Sequence, residues 1–160
     1  MFKTILVAVD GSVHADKAVS MAADLAGRYD AKLVIAHSLI RGHIPPELAK
    51  LSDEPIPETP PMSLGGASVD YQVPIAAVQS IGKKLLENAT ATAKTAGVAT
   101  VESVYQEGEP AQVLLDVAKA HKADLIVMGT RGLGDLKGLL MGSVSHKVQQ
   151  LFNGCVLTVK

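Results

Sequence analysis

Two short runs, Ile5-Leu6-Val7-Ala8-Val9 and Leu125-Ile126-Val127-Met128, are apolar at every position. Side chains on a strand alternate between its two faces, so a strand with one wet face reads as apolar/polar alternation. A strand without alternation is covered on both faces. That places these two runs at the centre of a parallel sheet sandwiched between helices. The rest of the chain supplies the helices. After Lys3–Val9 the chain turns at Asp10-Gly11-Ser12, where Ser12 is a good helix N-cap, and Ala15, Val19, Ala22, Ala26 and Tyr29 recur at helical spacing. Ala31 to Ser38 returns to a β-like run, which makes the first 38 residues a β-α-β unit.

The same alternation recurs further on. Ile75, Val78, Ile81, Leu85 and Ala89 mark a helix ending near Gly97, and Thr100 to Tyr105 reads as a strand. Glu109-Pro110 opens the next helix with proline in its first turn, where a missing N–H costs nothing, and Val113, Leu114 and Val117 give it an apolar face. Asp124 to Met128 is the next strand. A glycine-rich loop, a short helix from about Ser143 and a closing strand Cys155 to Val159 complete the chain. Each crossover between parallel strands packs back in the right-handed sense, so the expected class is an α/β, Rossmann-like open sheet with helices on both faces. At 160 residues the chain fits one domain. Ligands of such sheets bind beyond the carboxyl ends of the strands, at Asp10, Ser38 and the loop from Gly129.

The segment 41–72 interrupts the pattern. It holds Pro45, Pro46, Pro55, Pro57, Pro60 and Pro61 together with Gly65-Gly66, so it cannot be one regular element. A connection of that length is either a functional flap or a surface excursion, and it leaves the second strand on the expected ligand side.

Charge narrows the function. With 15 Lys+Arg against 16 Asp+Glu, no Trp and 3% aromatic residues, the chain lacks the basic surface and stacking rings of a nucleic-acid binder. The apolar runs fall far short of the roughly 20 residues that span a bilayer, so no membrane segment is expected. The N-terminus enters its first strand directly and reads as part of the fold rather than a signal peptide. A single cysteine, Cys155, cannot form an internal disulfide, in keeping with the cytoplasm, and is expected to be a small buried strand residue.

The most informative pattern is Gly129-Thr130-Arg131-Gly132, nine further residues, then Gly142-Ser143-Val144-Ser145. Glycines past a buried strand let backbone approach a ligand. The free N–H groups and dipole of a helix start attract an anion such as phosphate, and Ser143 and Ser145 add hydroxyls. Glycine count alone favours a flexible loop with an ordinary Gly/Ser helix start. No G-x-x-x-x-G-K-[ST] occurs, and Gly132-Leu133-Gly134-Asp135-Leu136-Lys137-Gly138 has one residue too many for the dinucleotide fingerprint and follows the wrong strand.

Taken with the N-terminal Lys-Thr-Ile-Leu-Val-Ala-Val-Asp-Gly-Ser, this two-part glycine motif resembles the universal stress protein family in its ATP-binding branch. The likeness runs from Phe2 to Val159 and is weakest across 41–72, so 1–160 reads as one such domain with a proline-rich insertion. It implies a five-stranded parallel sheet ordered 3-2-1-4-5, with Asp10 beside Gly129 at the reversal point. It further implies ATP as ligand, with Mg²⁺. Ala8, Val9 and Asp10 would border the adenosine, the Asp10 carboxylate lying near the phosphates or their metal. Ser38 would offer backbone groups to the adenine. Met128, Gly129, Arg131 and Gly132 would line the ribose and phosphate cleft, and Gly142, Ser143, Val144 and Ser145 would hold the phosphates. The likeness also implies a homodimer joined through Cys155–Val159, an edge strand with no helix after it.

Taken alone, Asp10 is equally a turn or helix cap. His14, His37, His43, His121 and His146 lack metal-ligand spacing and read as surface or packed residues. Arg131 would pair with phosphate or stand in solvent, and Lys83-Lys84 reads as a solvated helix edge. No residue stands out as catalytic. The leading function is a nucleotide-binding regulatory module of the stress response. An adenine-nucleotide hydrolase or self-phosphorylating enzyme on the same fold, and a nucleotide-free dimeric adaptor, are the alternatives.

Overall fold

The computed structural model describes residues 1–39, 44–56, 73–133 and 141–160. Its elements are β1 (Thr4–Ala8), α1 (Val13–Tyr29), β2 (Lys32–Leu39), α2 (Pro46–Ala49), α3 (Ile75–Thr95), β3 (Val101–Glu107), α4 (Pro110–His121), β4 (Leu125–Gly129), α5 (Ser143–Leu151) and β5 (Cys155–Val159). The five strands form one sheet in the order β3-β2-β1-β4-β5, and every pairing is parallel.

The two unalternating runs occupy the centre because both faces are covered. Ile5, Val7 and Val127 face α1 and α3 in one core, while Leu6, Ile126 and Met128 face α4 and α5 in the other. The helix starts follow their local chemistry. Ser12 caps α1, its hydroxyl accepting the Ala15 N–H at 3.1 Å. Glu109 caps α4 by accepting the Ala111 and Gln112 N–H groups, with Pro110 next in line.

Two expectations are revised. Cys155 is exposed rather than buried, since β5 is an edge strand and Cys155 opens it. The Lys83-Lys84 edge is not wholly solvated: the Lys84 ammonium lies 2.5 Å from the Asp53 carboxylate, so it ties the proline-rich segment to α3. The described part of that segment, 44–56, contains one helical turn, α2, entered through Pro45 and Pro46. The rest of the 41–72 insertion, 41–43 and 57–72, lies outside the described residues, as does His43.

Among the described residues no helix is long and apolar enough to cross a membrane.

Candidate functional site

Strand order reverses between β1 and β4: the chain leaves β1 toward one side of the sheet and reaches β4 from the other. Loops diverging from adjacent strand ends leave a crevice there. A cleft of about 490 Å³ occupies that position. Every residue expected in the site lines it. Ala8, Val9 and Asp10 come from the end of β1, and Ser38 comes from β2. Met128, Gly129, Arg131 and Gly132 come from β4 and its loop, and Gly142, Ser143, Val144 and Ser145 come from the start of α5.

The three motif glycines have different reasons to be glycine. A Cβ on Gly129 would fall 2.8 Å from the His14 Cβ, so this glycine lets α1 pack against the end of β4. A Cβ on Gly132 would fall 2.5 Å from Asp10 Oδ2, so this one makes room for the carboxylate. Gly142 is unlike both. Its φ of −78° and ψ of 163° suit any residue, and among the described residues a Cβ there would make only ordinary contacts, the nearest at 3.5 Å. The described part of the fold does not require glycine at 142.

The hydrogen bonds around Thr130 revise the donor set. Thr130 is buried, and its carbonyl accepts the Gly142 N–H at 2.8 Å and the Ser145 hydroxyl at 2.9 Å. Neither group is left for a ligand, so Ser145 acts through its side chain as a clamp on the loop rather than as a hydroxyl donor to the cleft. What remains is backbone. The N–H groups of Ser143, Val144 and Ser145, the first turn of α5, have no hydrogen-bond partner among the described residues, and Gly142 supplies no side-chain cap. Uncapped first-turn N–H groups and the positive end of the helix dipole together make an anion site.

Asp10 holds its own turn. Its Oδ1 accepts the Ser12 N–H at 3.0 Å. Among the described residues no group of three or more His, Cys, Asp or Glu is placed to hold a metal.

The other end of the cleft is apolar and was not foreseen. Ile44, Pro45 and Leu48 of the proline-rich segment line it together with Val78 and Ile81 of α3, and Ile44 packs against the cluster that contains Val78. Gly11, at φ +83°, explains the docking of α2: a Cβ there would lie 2.5 Å from Leu48 Cδ2, so the leucine packs on bare backbone. Asp53 adds its N–H to the Ser80 hydroxyl, at 3.3 Å. His37 also lines this end and was missed. Its signal was parity, since it shares an inward face of β2 with Leu33, Ile35 and Leu39. A polar residue on such a face needs a reason to be there. Its Nδ1 lies 2.8 Å from the Val9 carbonyl. Burial pushes its pKa below the ordinary histidine value, against the opposing pull of the Val9 hydrogen bond and the Asp10 carboxylate.

A model of the universal stress protein family matches residues 1–160. The Bacillus subtilis universal stress protein YxiE is 38% identical over 167 residues, with 100% of both chains covered. A universal stress protein solved in complex with cAMP is 28% identical, with a TM-score of 0.67, over 99% of this chain and 97% of that one. The universal stress protein UspA from Lactobacillus plantarum is 21% identical with a TM-score of 0.74, over 99% of this chain and 97% of its own, a likeness of fold.

Proposed function

The chain belongs to the universal stress protein family, and from that premise we propose that it is a regulatory module whose cleft binds an adenine nucleotide, ATP with Mg²⁺. The observation that carries this reading is the start of α5. Three uncapped N–H groups face a cleft at a position, Gly142, where the described fold would tolerate a side chain. A glycine where the described fold has no need of one fits a ligand that must come close. The relative solved with cAMP gives the reading its base.

In this reading the N–H groups of Ser143, Val144 and Ser145 hold phosphate, and the Ser143 hydroxyl and Arg131 add to them. Gly129 and Gly132 shape the loop beneath the phosphates. Ala8, Val9 and Met128 border the nucleoside, and the Ser38 backbone meets the adenine. An Asp carboxylate completed by phosphate oxygens and water is a donor set that Mg²⁺ accepts, so Asp10 fits a metal that arrives with the nucleotide. The metal would screen the carboxylate from the phosphates. Asp10 is also the one carboxylate lining the described cleft, and its Oδ1 is engaged by Ser12. Phosphoryl transfer needs several positioned groups at once, so the reading is binding and signalling rather than turnover.

We extend the proposal to a cytoplasmic homodimer joined through β5. Among the described residues the strand pairs on one side only, with β4.

Nucleotide released from denatured purified protein, followed by calorimetric titration of the stripped full chain with ATP and Mg²⁺, tests the reading. Adenine nucleotide in the extract and saturable binding are expected. A stripped, folded chain that binds neither ATP nor AMP overturns it.

A further inference from the structure

The fold gives His37 a seat. The side chain is 9% exposed, and its Nδ1 lies 2.8 Å from the Val9 carbonyl. A carbonyl only accepts, so Nδ1 carries a proton, and in the neutral ring Nε2 keeps a lone pair. Against the opposite edge of the ring α3 presents Gly82. A Cβ there would fall 3.0 Å from His37 Cδ2 and 2.9 Å from Leu39 Cδ2. Glycine is a poor residue inside a helix, and here it makes room for the imidazole.

Nε2 has no hydrogen-bond partner among the described residues. Yet none of their fully enclosed side-chain nitrogen or oxygen atoms lacks a partner. Nε2 is therefore not enclosed; it lies 3.5 Å from where a Cβ on Gly82 would stand, and His37 is one of the residues that line the cleft. The surroundings there are apolar: Ile44, Leu48, Val78 and Ile81. An acceptor in such surroundings is left unsatisfied unless the ligand brings a donor.

We propose that His37 Nε2 accepts a hydrogen bond from the exocyclic amine of the bound base, so that the cleft selects a 6-amino purine over the 6-oxo purine of the same shape. The inference rests on the nucleotide reading above and adds to it the side chain that sets base specificity. A 6-oxo group would put one acceptor against another in an apolar pocket, where neither finds a donor. Sites built around a buried polar partner discriminate this way more sharply than sites that rely on shape. The lowered pKa of His37 agrees with a ring that stays neutral, and so able to accept, near neutral pH.

The test is a series of calorimetric titrations of the full chain with AMP, IMP and the 5′-monophosphate of unsubstituted purine riboside. AMP is expected to bind best, the unsubstituted purine next and IMP worst, with AMP at least about tenfold ahead of IMP. A His37→Phe variant, which keeps a ring in the seat but no acceptor, should shrink the AMP–IMP gap to about threefold or less. An independent readout on the wild type is the ¹⁵N resonance of the unprotonated imidazole nitrogen, which should move with AMP and not with IMP. If His37→Phe does not fold, the wild-type series and this resonance decide. Equal binding of AMP and IMP, a resonance that AMP leaves unmoved, or a gap that survives in folded His37→Phe each overturns the assignment and leaves the nucleotide reading standing. Binding of none of the three by folded wild type overturns both.

Discussion

Gly142 is where fold and site make separate demands on one residue. Its extended backbone accepts a side chain, and asparagine, aspartate and serine are the favoured residues at a helix N-cap. Gly142→Asp should therefore leave the melting temperature unchanged or slightly raised, its carboxylate accepting the first-turn N–H groups of α5. Those are the donors proposed for phosphate, and the new charge repels an anion. Affinity for ATP should fall at least tenfold, about 1.4 kcal/mol. Calorimetry beside thermal melts reads both halves, and a stable Gly142→Asp chain with undiminished ATP affinity would remove α5 from the phosphate site. Gly132→Ala should behave differently, because its Cβ would meet the Asp10 carboxylate and disturb the loop itself. Glycine spacing made the motif visible in the sequence, but not these differences. They depend on His14, Asp10 and Thr130, which reach the glycines only through the fold.

At the scale of elements, the sheet was legible because its central strands must be apolar on both faces, and Ile5–Val9 and Leu125–Met128 can satisfy that only at the centre. The strand order came from resemblance, since right-handed crossovers alone allow several orders. The short helix Pro46–Ala49 and the wall it lends the cleft were not legible: four residues carry no periodicity, and their reason is the bare backbone of Gly11, far away in the chain. Asp124 shows how the central strands are joined at their other end. Its carboxylate accepts the Lys3 N–H at 2.7 Å and the Thr4 N–H at 2.9 Å, fixing the start of β1 beside that of β4. The Thr4 bond, then the Lys3 bond, hold its pKa below the ordinary aspartate value. A lowered folded pKa contributes stability that is complete above the unfolded pKa and is lost as pH falls through the folded one. Asp124→Ala should therefore melt below wild type near pH 7, and the gap should narrow as the pH falls below the ordinary aspartate range and through the lowered folded pKa. A gap that does not change with pH would mean that the charge on Asp124 contributes nothing.

For the whole molecule the open edge of β5 decides whether the chain works alone. Val159 accepts the Thr130 N–H, and Cys155 donates to the Asp124 carbonyl, so the odd-numbered residues of β5 turn their backbone groups toward β4. Backbone groups alternate in direction along a strand, so those of Val156 and Thr158 turn outward to the open edge. Val156, Leu157, Thr158 and Val159 are only half buried. Proteins seldom leave such an edge unprotected, and a second copy is the self-complementary way to cover it. A two-fold axis at Leu157 would set Val156 opposite the partner's Thr158 as an antiparallel hydrogen-bonded pair, which exchanges two N–H···O bonds on each side of the axis. Thr158→Pro deletes an outward N–H without cutting the ladder to β4, so it attacks the dimer and spares the fold. The wild type should scatter light as a dimer at micromolar concentration and Thr158→Pro as a folded monomer. A wild-type monomer refutes the proposed assembly outright. A Thr158→Pro dimer moves it to another surface. The outcome bears on the site as well, because Thr130, whose N–H binds Val159, also receives the Gly142 N–H and the Ser145 hydroxyl that set the start of α5. A partner strand that stiffens β5 therefore acts one hydrogen bond away from the proposed phosphate donors.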